Sequence, residues 1–431
     1  MTEIEKINNL RAEMLKEGID LYIIPMRNNL LNTDLKPHEN RIKYISKFSG
    51  SAGQIFISLQ KASIFVDGRY ELQVKLEVSS KIFEINEMGI QSYIKWIETN
   101  LPENCTVGYD PKLFSITEIE TYIKRFENHQ IKLKSISDNL VDKIWSKIPS
   151  QKKAIISDHK IEYSGIKRAE KLNKLRNTFI KSQDEALFVG DNNFISCFTN
   201  LRAYRNKYTP AIPAFCVITT NNCHLFVENC RINKNDVTKI ATDIKIHDLK
   251  DFKRDITNIL KNVKVVKLDK SDTSIFVQEI FKKLNIKVLH QNDINHSKAI
   301  KNSIELEAFK KAHELDAIAI CNFLHWIKKQ KNLNNLDELR IVKSIEFFRK
   351  EQQPHYLGPS FPAIVGFNEN GAIIHYNATK KTNKKLSGDG LLLIDSGGQY
   401  KYGTTDVTRT ILVGKANEKM KRLYTVVLKA H

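Results

Sequence analysis

The sequence predicts two tandem α/β domains followed by an α+β unit. The length of 431 residues is sufficient for two or three domains with sizeable cores. A weak internal repeat suggests that the first two domains share one design, and the pattern changes near Lys298, where long helices precede short apolar runs. The expected domains are residues 1–150, 151–297 and 298–431.

The first domain combines helical and strand patterns. Apolar residues recur at helical spacing over residues 4–18, which predicts an amphipathic helix. The apolar run at 21–25 predicts a short strand, and residues 62–70 predict a strand that ends in a turn. This order is typical of an α/β domain.

A similar order recurs in the second domain. A helix is expected at 166–181, followed by strands. An Ile-Ser pair with a Phe two residues on occurs at 45–48 and at 195–198, and Phe-Val followed by an acid occurs at 65–67 and at 226–228. The two domains are therefore predicted to be related.

The third unit begins with two helices. Residues 301–329 carry a stripe of apolar side chains close to the helical period, and a second helix is expected at 336–349. Gly, Pro and Asn then separate three short apolar runs, SFPAIVGF, GAIIHY and LLLIDSG. These runs predict an antiparallel sheet covered by the helices on one face.

Composition excludes several classes of protein. The net charge is +19, but the lysines are spread along most of the chain and the aromatic residues do not interleave with them in the manner of a base-stacking platform, so no dedicated nucleic-acid site is expected. No apolar run is long enough to span a membrane, and the N-terminus MTEIEKINNL does not resemble a signal peptide. The six cysteines have no metal-type spacing and are expected to be reduced thiols. The predicted location is the cytoplasm.

The hairpin pattern at 391–413 carries an aspartate on each arm. With a turn centred on Tyr400-Lys401, Asp395 and Asp406 are expected to be direct cross-strand partners, with Cβ atoms roughly 4.5–5.5 Å apart. Carboxylates this close repel each other, and one or two shared divalent cations would remove the repulsion. The alternative is a pair of solvent-facing acids neutralised by Arg409 and nearby lysines. The spacing leaves both interpretations open.

His375 ends the apolar run GAIIHY, upstream of Asp395. A histidine at the end of a strand is most often a core residue with a satisfied hydrogen bond. If this strand joins the same sheet, the imidazole could instead enter the aspartate cleft and transfer protons.

These segments resemble the three-domain aminopeptidase P (Xaa-Pro aminopeptidase) family. The resemblance extends over essentially the whole chain and rests on VDGRY, FSGSAG, DNLVDKIW, TNLR, IKNSIELEAFKKAHELDA, SFPAIVG, NGAIIHY and IDSGGQYKYGTTDVTRT. It implies two creatinase-N-like α/β domains followed by a catalytic domain with the pita-bread fold.

The resemblance also implies a function. Family members release the N-terminal residue from peptides with proline in second position, using water activated by two divalent metal ions, usually manganese. Asp395 and Asp406 match metal ligands, and His375 matches a histidine that contacts substrate and handles protons. Arg69 of VDGRY matches an arginine that reaches toward the substrate, although a surface role would otherwise be expected. The implied partners are peptides with an Xaa-Pro N-terminus, and a homodimer remains one option.

One part of the family pattern is missing. The family completes its metal site with a histidine and two glutamates well beyond the hairpin, whereas here only Glu418 and His431 follow Asp406, both on one amphipathic segment. We therefore expect only the N-terminal part of the pita-bread domain in this chain, and no detectable turnover by these residues alone. The alternative function is a non-catalytic pita-bread protein, or an inactive fragment, that binds peptide or protein partners.

Overall fold

The computed structural model describes residues 1–150, 153–204, 208–228 and 230–431. The chain divides into two compact units. Unit 1 comprises Met1–His159, Ile166–Arg205 and Ala211–Ile300, and unit 2 comprises Lys160–Gly165, Asn206–Pro210 and Lys301–His431. The predicted domain boundary at residue 151 lies outside the described residues, and the three sets of domain bounds remain predictions.

The first part of unit 1 begins with a well-capped helix. Thr2 and Glu5 form a capping box, in which the Thr2 side chain accepts from the Glu5 N–H and the Glu5 carboxylate accepts from the Thr2 N–H. The helices here are α1 (Glu3–Glu17), α2 (Arg41–Ser46), α3 (Glu71–Glu77), α4 (Ile90–Asn100), α5 (Ile116–Phe126) and α6 (Leu140–Ile144). The strands are β1 (Leu21–Pro25), β2 (Gln54–Ser58), β3 (Ala62–Val66), β4 (Glu84–Glu87), β5 (Thr106–Tyr109) and β6 (Lys132–Ser135).

The next part of the chain repeats this alternation. Its helices are α7 (Ile161–Ser164, in unit 2), α8 (Arg168–Phe179), α9 (Asn192–Thr199), α10 (Val237–Ala241), α11 (Phe252–Ile259) and α12 (Ile275–Lys283). Its strands are β7 (Ala154–Asp158), β8 (Glu185–Val189), β9 (Leu201–Tyr204), β10 (Ala214–Ile218), β11 (Cys223–Val227), β12 (Cys230–Ile232), β13 (Lys245–Asp248), β14 (Val265–Leu268) and β15 (Lys287–His290).

Two mixed sheets of the same design form the centre of unit 1. The first has the strand order β4-β3-β2-β1-β5-β6, and the second has the order β13-β11-β10-β8-β14-β15. In each sheet the third strand of this order is antiparallel to both of its neighbours, and the remaining neighbouring pairs are parallel. The prediction of two related tandem α/β domains is therefore confirmed.

Unit 2 contains a smaller antiparallel sheet. Its further helices are α13 (Ser303–Lys328), α14 (Glu338–Lys350) and α15 (Glu418–Ala430). Its strands are β16 (Tyr356–Pro359), β17 (Ile364–Phe367), β18 (Gly390–Ser396), β19 (Gly398–Tyr400) and β20 (Val407–Val413). The strands form a sheet β17-β18-β20 and a pair β16-β19, all antiparallel. Residues such as Ile341, Val365 and Leu392 are fully buried between α14 and the sheet.

The run GAIIHY does not form the predicted strand. Residues 368–372 form a 3₁₀ helix, and the Tyr376 N–H donates to the Ile373 carbonyl to close a turn. The chain turns here because the Tyr376 hydroxyl is hydrogen-bonded to the buried carboxylate of Glu338, at the start of α14. The third strand of the sheet is β20 instead.

Helix α15 exposes its apolar side chains. All its residues except the half-buried Met420 are exposed, and Leu423, Val427 and Leu428 retain more than half of their accessible surface at 53%, 69% and 63%. Across the described part of the chain, helices with both the length and the apolar character required to traverse a lipid bilayer are absent.

The buried His224 and the half-buried His247 of the second sheet predict a dependence of stability on pH. His224 Nδ1 lies 3.0 Å from His247 Nε2, and His247 Nδ1 lies 3.4 Å from Asp255 Oδ2. Burial of His224, together with the charges of His247 and Lys245, lowers its pKa to about 4. A neutral His224 in the fold means that the unfolded chain binds more protons, so stability falls as pH drops from about 6.5 to 4.

We expect His224→Phe to reduce this loss of stability in acid. The measurement is the urea midpoint of unfolding at pH 7 and at pH 5. The exposed His296 provides a control variant, His296→Gln. An equal loss between the two pH values in wild type, His224→Phe and the control would contradict the assignment.

Candidate active site

The hairpin register differs from the predicted one. Asp395 lies opposite Thr408, not opposite Asp406. The turn is centred between Lys401 and Tyr402, one residue later than expected, because Tyr400 and Gly403 form the closing pair of backbone hydrogen bonds. Each residue of the first arm therefore lies opposite a residue two positions later in the second arm than predicted. The prediction that the two aspartates are direct cross-strand partners is wrong.

The two aspartates nevertheless share one face of the hairpin. A shift of two residues preserves the side to which a side chain points, because alternate residues of a strand face the same side. Asp406 is thus a diagonal neighbour of Asp395. Diagonal neighbours have Cα atoms roughly 7–8 Å apart and Cβ atoms somewhat closer. Strand β18 alternates regularly, with Leu392 and Ile394 buried in the core and Asp395 half-buried on the opposite face.

The electrostatics of Asp395 depend on its neighbours. Burial raises the pKa of this carboxyl above its usual range, while a hydrogen bond with Thr408 lowers it. The negative charge of Asp406 and hydrogen bonding to Asp406 raise the pKa further, and the charge of His375 opposes them. The structure therefore brings Asp395, Asp406 and His375 into one electrostatic group, in which the two carboxyls compete for charge.

His375 occupies the third position of the turn Ile373–Tyr376. Its side chain is exposed, and its backbone is left-handed, with φ of +56°. It is not at the end of a strand, as the sequence predicted, but its charge still acts on Asp395.

A buried ion pair supports the base of the hairpin. Asp316 on α13 accepts hydrogen bonds from Arg349 Nε at 2.7 Å and from the Tyr400 hydroxyl at 2.8 Å. Asp316 and Arg349 are 1% and 2% exposed. This pair links both long helices to the strand that leads into the turn, so it fixes the position of the arms that carry the aspartates.

Arg69 lies in unit 1, in the 3₁₀ turn Gly68–Tyr70 that follows β3. Its guanidinium forms a two-pronged ion pair with Asp67, at 3.0 Å from Nε to Oδ1 and 2.6 Å from Nη2 to Oδ2. The hydrogen bond to Asp67 raises the pKa of Arg69. Its role in substrate binding remains a prediction.

Sequence reasoning missed the buried residues that pack behind the site. Glu338, Asn370 and Tyr376 form a buried hydrogen-bonded cluster next to His375. Thr408, opposite Asp395, was also missed. The signal that the sequence offered was the place of Glu338 directly after the helix-capping residue Asp337. A glutamate in the first turn of a helix is usually interpreted as a solvent-exposed residue that interacts favourably with the helix dipole.

The aspartates suit a cation. Asp395 Oδ1 is buried and has no hydrogen-bond partner, a costly state for a carboxylate oxygen unless an ion or water occupies its free position. Oxygen donors of this kind suit hard divalent ions such as manganese. Within the described residues, no group of three or more His, Cys, Asp or Glu side chains has a metal-binding arrangement.

Comparison with known families assigns each part of the chain. Residues 6–144 and 147–305 both match models described as the Creatinase/Prolidase N-terminal domain. Residues 307–431 match the model of Metallopeptidase family M24. The class of protein is thus one with two creatinase-type domains followed by an M24-type domain of the pita-bread fold, and the predicted fold class is confirmed.

Individual relatives identify the family. The Xaa-Pro aminopeptidase ApepP of Drosophila melanogaster is 30% identical over 436 residues, which cover 98% of this chain and 71% of the relative. Human Xaa-Pro aminopeptidase 2 is 29% identical over 431 residues, with 97% of this chain covered. The chain belongs to the Xaa-Pro aminopeptidase family, and the resemblance noted in the sequence is confirmed.

Two further results define the extent of the match. The chain spans 63% of the length of the human relative. The solved structure of the X-prolyl aminopeptidase of Caenorhabditis elegans, described as a cytosolic enzyme with a di-nuclear active site, superposes with a TM-score of 0.89 at 24% identity. That match covers 97% of this chain and 71% of the other, and it supports the fold.

Proposed function

We propose that this chain provides part of the active site of an aminopeptidase that releases the N-terminal residue from peptides with proline in second position. The observation that carries the proposal is the pair Asp395 and Asp406 on one face of the hairpin, with a buried, unpartnered Asp395 oxygen beside His375. Family membership supplies the reaction class, because relatives across animals are Xaa-Pro aminopeptidases.

Asp395 and Asp406 would hold the divalent ions, of which we propose two, with manganese as the metal. When bound, such ions lower the pKa of a coordinated water and polarise the scissile carbonyl. The Thr408 hydrogen bond favours the charged form of Asp395 and so opposes the effect of burial, which raises the pKa of this carboxyl. His375, exposed at the tip of its turn, would contact the peptide and hold or donate a proton there.

Arg69 is proposed as a substrate-binding residue. Its guanidinium is already oriented by Asp67, and a preoriented cation suits a peptide carboxylate or carbonyl. The proposed partners are peptides with an Xaa-Pro N-terminus. A cytoplasmic location is supported by the C. elegans structure, described as cytosolic, and by free cysteines throughout the described residues.

Manganese binding tests the metal assignment directly on this chain. We expect calorimetric titration with Mn²⁺ to give weak binding, with a Kd of about 10⁻⁴–10⁻³ M, because two carboxylates provide few of the ligands of a six-coordinate ion. Asp395→Asn should weaken this binding at least about tenfold, since a neutral amide replaces the half-buried carboxylate.

The exposed acid Glu418 supplies the matched control. Glu418→Gln removes the same charge from α15, where the side chain is 90% exposed, and should leave the affinity unchanged. Equal affinities for wild type, Asp395→Asn and Glu418→Gln would remove the basis of the metal assignment.

A further inference from the structure

We propose that Glu338 is a positioning residue that holds the His375 backbone in the conformation that directs its imidazole toward the aspartates. The proposal rests on the function proposed above only for the role of His375. Glu338 is not one of the two aspartates proposed to bind metal. It acts on the site indirectly, because it is hydrogen-bonded to the turn that contains His375.

The Glu338 carboxylate is fully buried at the start of α14, with 0% exposure. Its Oε1 accepts from the Phe367 N–H at 2.8 Å and from Asn370 Nδ2 at 2.9 Å. Its Oε2 accepts from the Tyr376 hydroxyl at 2.9 Å and from the Lys384 N–H at 3.0 Å. Phe367 belongs to β17, Asn370 and Tyr376 flank His375, and Lys384 lies in the segment before β18. The Glu338 side chain therefore joins three segments of the chain.

The donors surround the turn that carries His375. Asn370 lies on its N-terminal side, where the Ile373 N–H donates to the Asn370 carbonyl at 3.2 Å. Tyr376 lies on its C-terminal side and closes the turn by donating its N–H to the Ile373 carbonyl at 3.1 Å. The side chains of Asn370 and Tyr376 are also hydrogen-bonded to each other at 2.9 Å. Glu338 therefore binds both ends of the segment that places His375.

The His375 backbone requires such a support. Its φ of +56° lies in the left-handed region, which favours Gly or Asn at this position of a turn. A histidine in this conformation is strained, and strained residues persist only where the surroundings fix them. The neighbouring Ile374 is 56% exposed, so packing of its side chain does not supply this support. The buried hydrogen bonds to Glu338 supply it instead.

The charge of Glu338 is important for this role. All four partners donate hydrogen bonds, and a carboxylate can accept at both oxygens. Glutamine of the same shape would accept at one oxygen but would direct its NH₂ group against two of the donors. Glu338→Gln is therefore expected to release one side of the turn while preserving volume and packing.

A thermodynamic cycle between positions 338 and 375 tests the proposal. In the wild type, His375→Gly removes the left-handed strain and should raise the melting temperature by about 2–4 °C. In a Glu338→Gln background the turn has already relaxed, so His375→Gly should give less than about a quarter of that increase. Differential scanning calorimetry on the full chain measures both values.

A carboxylate on the same helix provides the control. Glu346 accepts a hydrogen bond from the Tyr356 hydroxyl at 2.6 Å, away from the His375 turn. In a Glu346→Gln background, His375→Gly should raise the melting temperature as much as it does in the wild type. If Glu338→Gln does not fold, Tyr376→Phe removes only the hydroxyl that contacts Glu338, Asn370 and the Thr382 carbonyl, and should reduce the increase by about half.

The same variants separate a positioning role from a merely structural one. In the natural protein that contains these residues, Glu338→Gln should lower kcat for an Xaa-Pro-Xaa peptide about 10–100-fold with KM changed less than about threefold, as expected when an aligned group is misplaced. Glu346→Gln should change neither constant. If His375→Gly raises the melting temperature as much in the Glu338→Gln background as in the wild type, the positioning role of Glu338 is overturned. This result does not depend on peptidase activity, so it is distinct from a failure of the proposed function.

Discussion

Asp406→Asn in the natural protein that contains these residues should lower kcat/KM for an Xaa-Pro-Xaa peptide by about 10³-fold or more. The substitution keeps size and shape but removes one of the two carboxylates that share a face of the hairpin. A lost charge at a metal ligand reduces the activation of water and the polarisation of the carbonyl together. Release of the first residue from the peptide, in the presence of Mn²⁺, measures the effect.

Two controls show that the effect belongs to this site. Glu418→Gln should retain activity within about twofold, because its side chain is exposed on α15. A peptide with alanine in place of the second-position proline should be cleaved poorly by both proteins. Retention of more than a tenth of wild-type activity by Asp406→Asn would be incompatible with a role in metal binding.

Arg349→Leu should destabilise unit 2 by about 3–5 kcal/mol, because it leaves the buried Asp316 carboxylate without its cation. Arg349 Nη2 lies 3.2 Å from Asp316 Oδ2, in addition to the shorter Nε contact with the other oxygen. Burial raises the pKa of Tyr400, so its hydroxyl remains a neutral donor to Asp316 and cannot replace the lost charge. The urea midpoint of the unfolding transition provides the measurement.

The double variant Arg349→Leu with Asp316→Leu should recover most of the loss, since apolar residues can often replace a buried ion pair. Lys350→Leu is a control on the same helix, because Lys350 is exposed and pairs with Glu346 at 3.7 Å. A change below about 1 kcal/mol in Arg349→Leu would show that the pair contributes little to the position of the hairpin.

The arrangement of elements followed closely from patterning. The helix predicted at 166–181 is α8, Arg168–Phe179, and the helix predicted at 336–349 is α14, Glu338–Lys350. Both have apolar residues at helical spacing and bury that face. The recurrence of Phe-Val followed by an acid at 65–67 and 226–228 corresponded to β3 and β11, which occupy the same place in the two sheet orders, because equivalent strands need similar apolar residues.

The sequence predicted which face of the hairpin carries the aspartates, but it did not predict the register of the two arms. Alternation places Asp395 opposite the core side of β18 wherever the turn lies. The register depends on which two residues form the turn, and the sequence YKYG lacks the paired Asn-Gly or Asp-Gly signal that would define them. The error of one residue in the turn changed the partner of Asp395 from Asp406 to Thr408.

The surroundings of His375 could not be predicted from local sequence. GAIIHY has the composition of a strand, but the long-range bonds from Tyr376 and Asn370 to Glu338 override that preference. Those residues are separated by 38 and 32 positions in the chain, so no window of local pattern contains the interaction. Only the assembled fold shows that a first-turn glutamate is buried.

Anomalous diffraction at the manganese absorption edge can show whether Asp395 and Asp406 bind metal together. Crystals of the natural protein that contains these residues, soaked in Mn²⁺, should show an anomalous peak within about 2.5 Å of a carboxylate oxygen of each aspartate. The absence of a peak there at saturating Mn²⁺, or side chains of Asp395 and Asp406 directed to opposite faces of the hairpin, would contradict the claim.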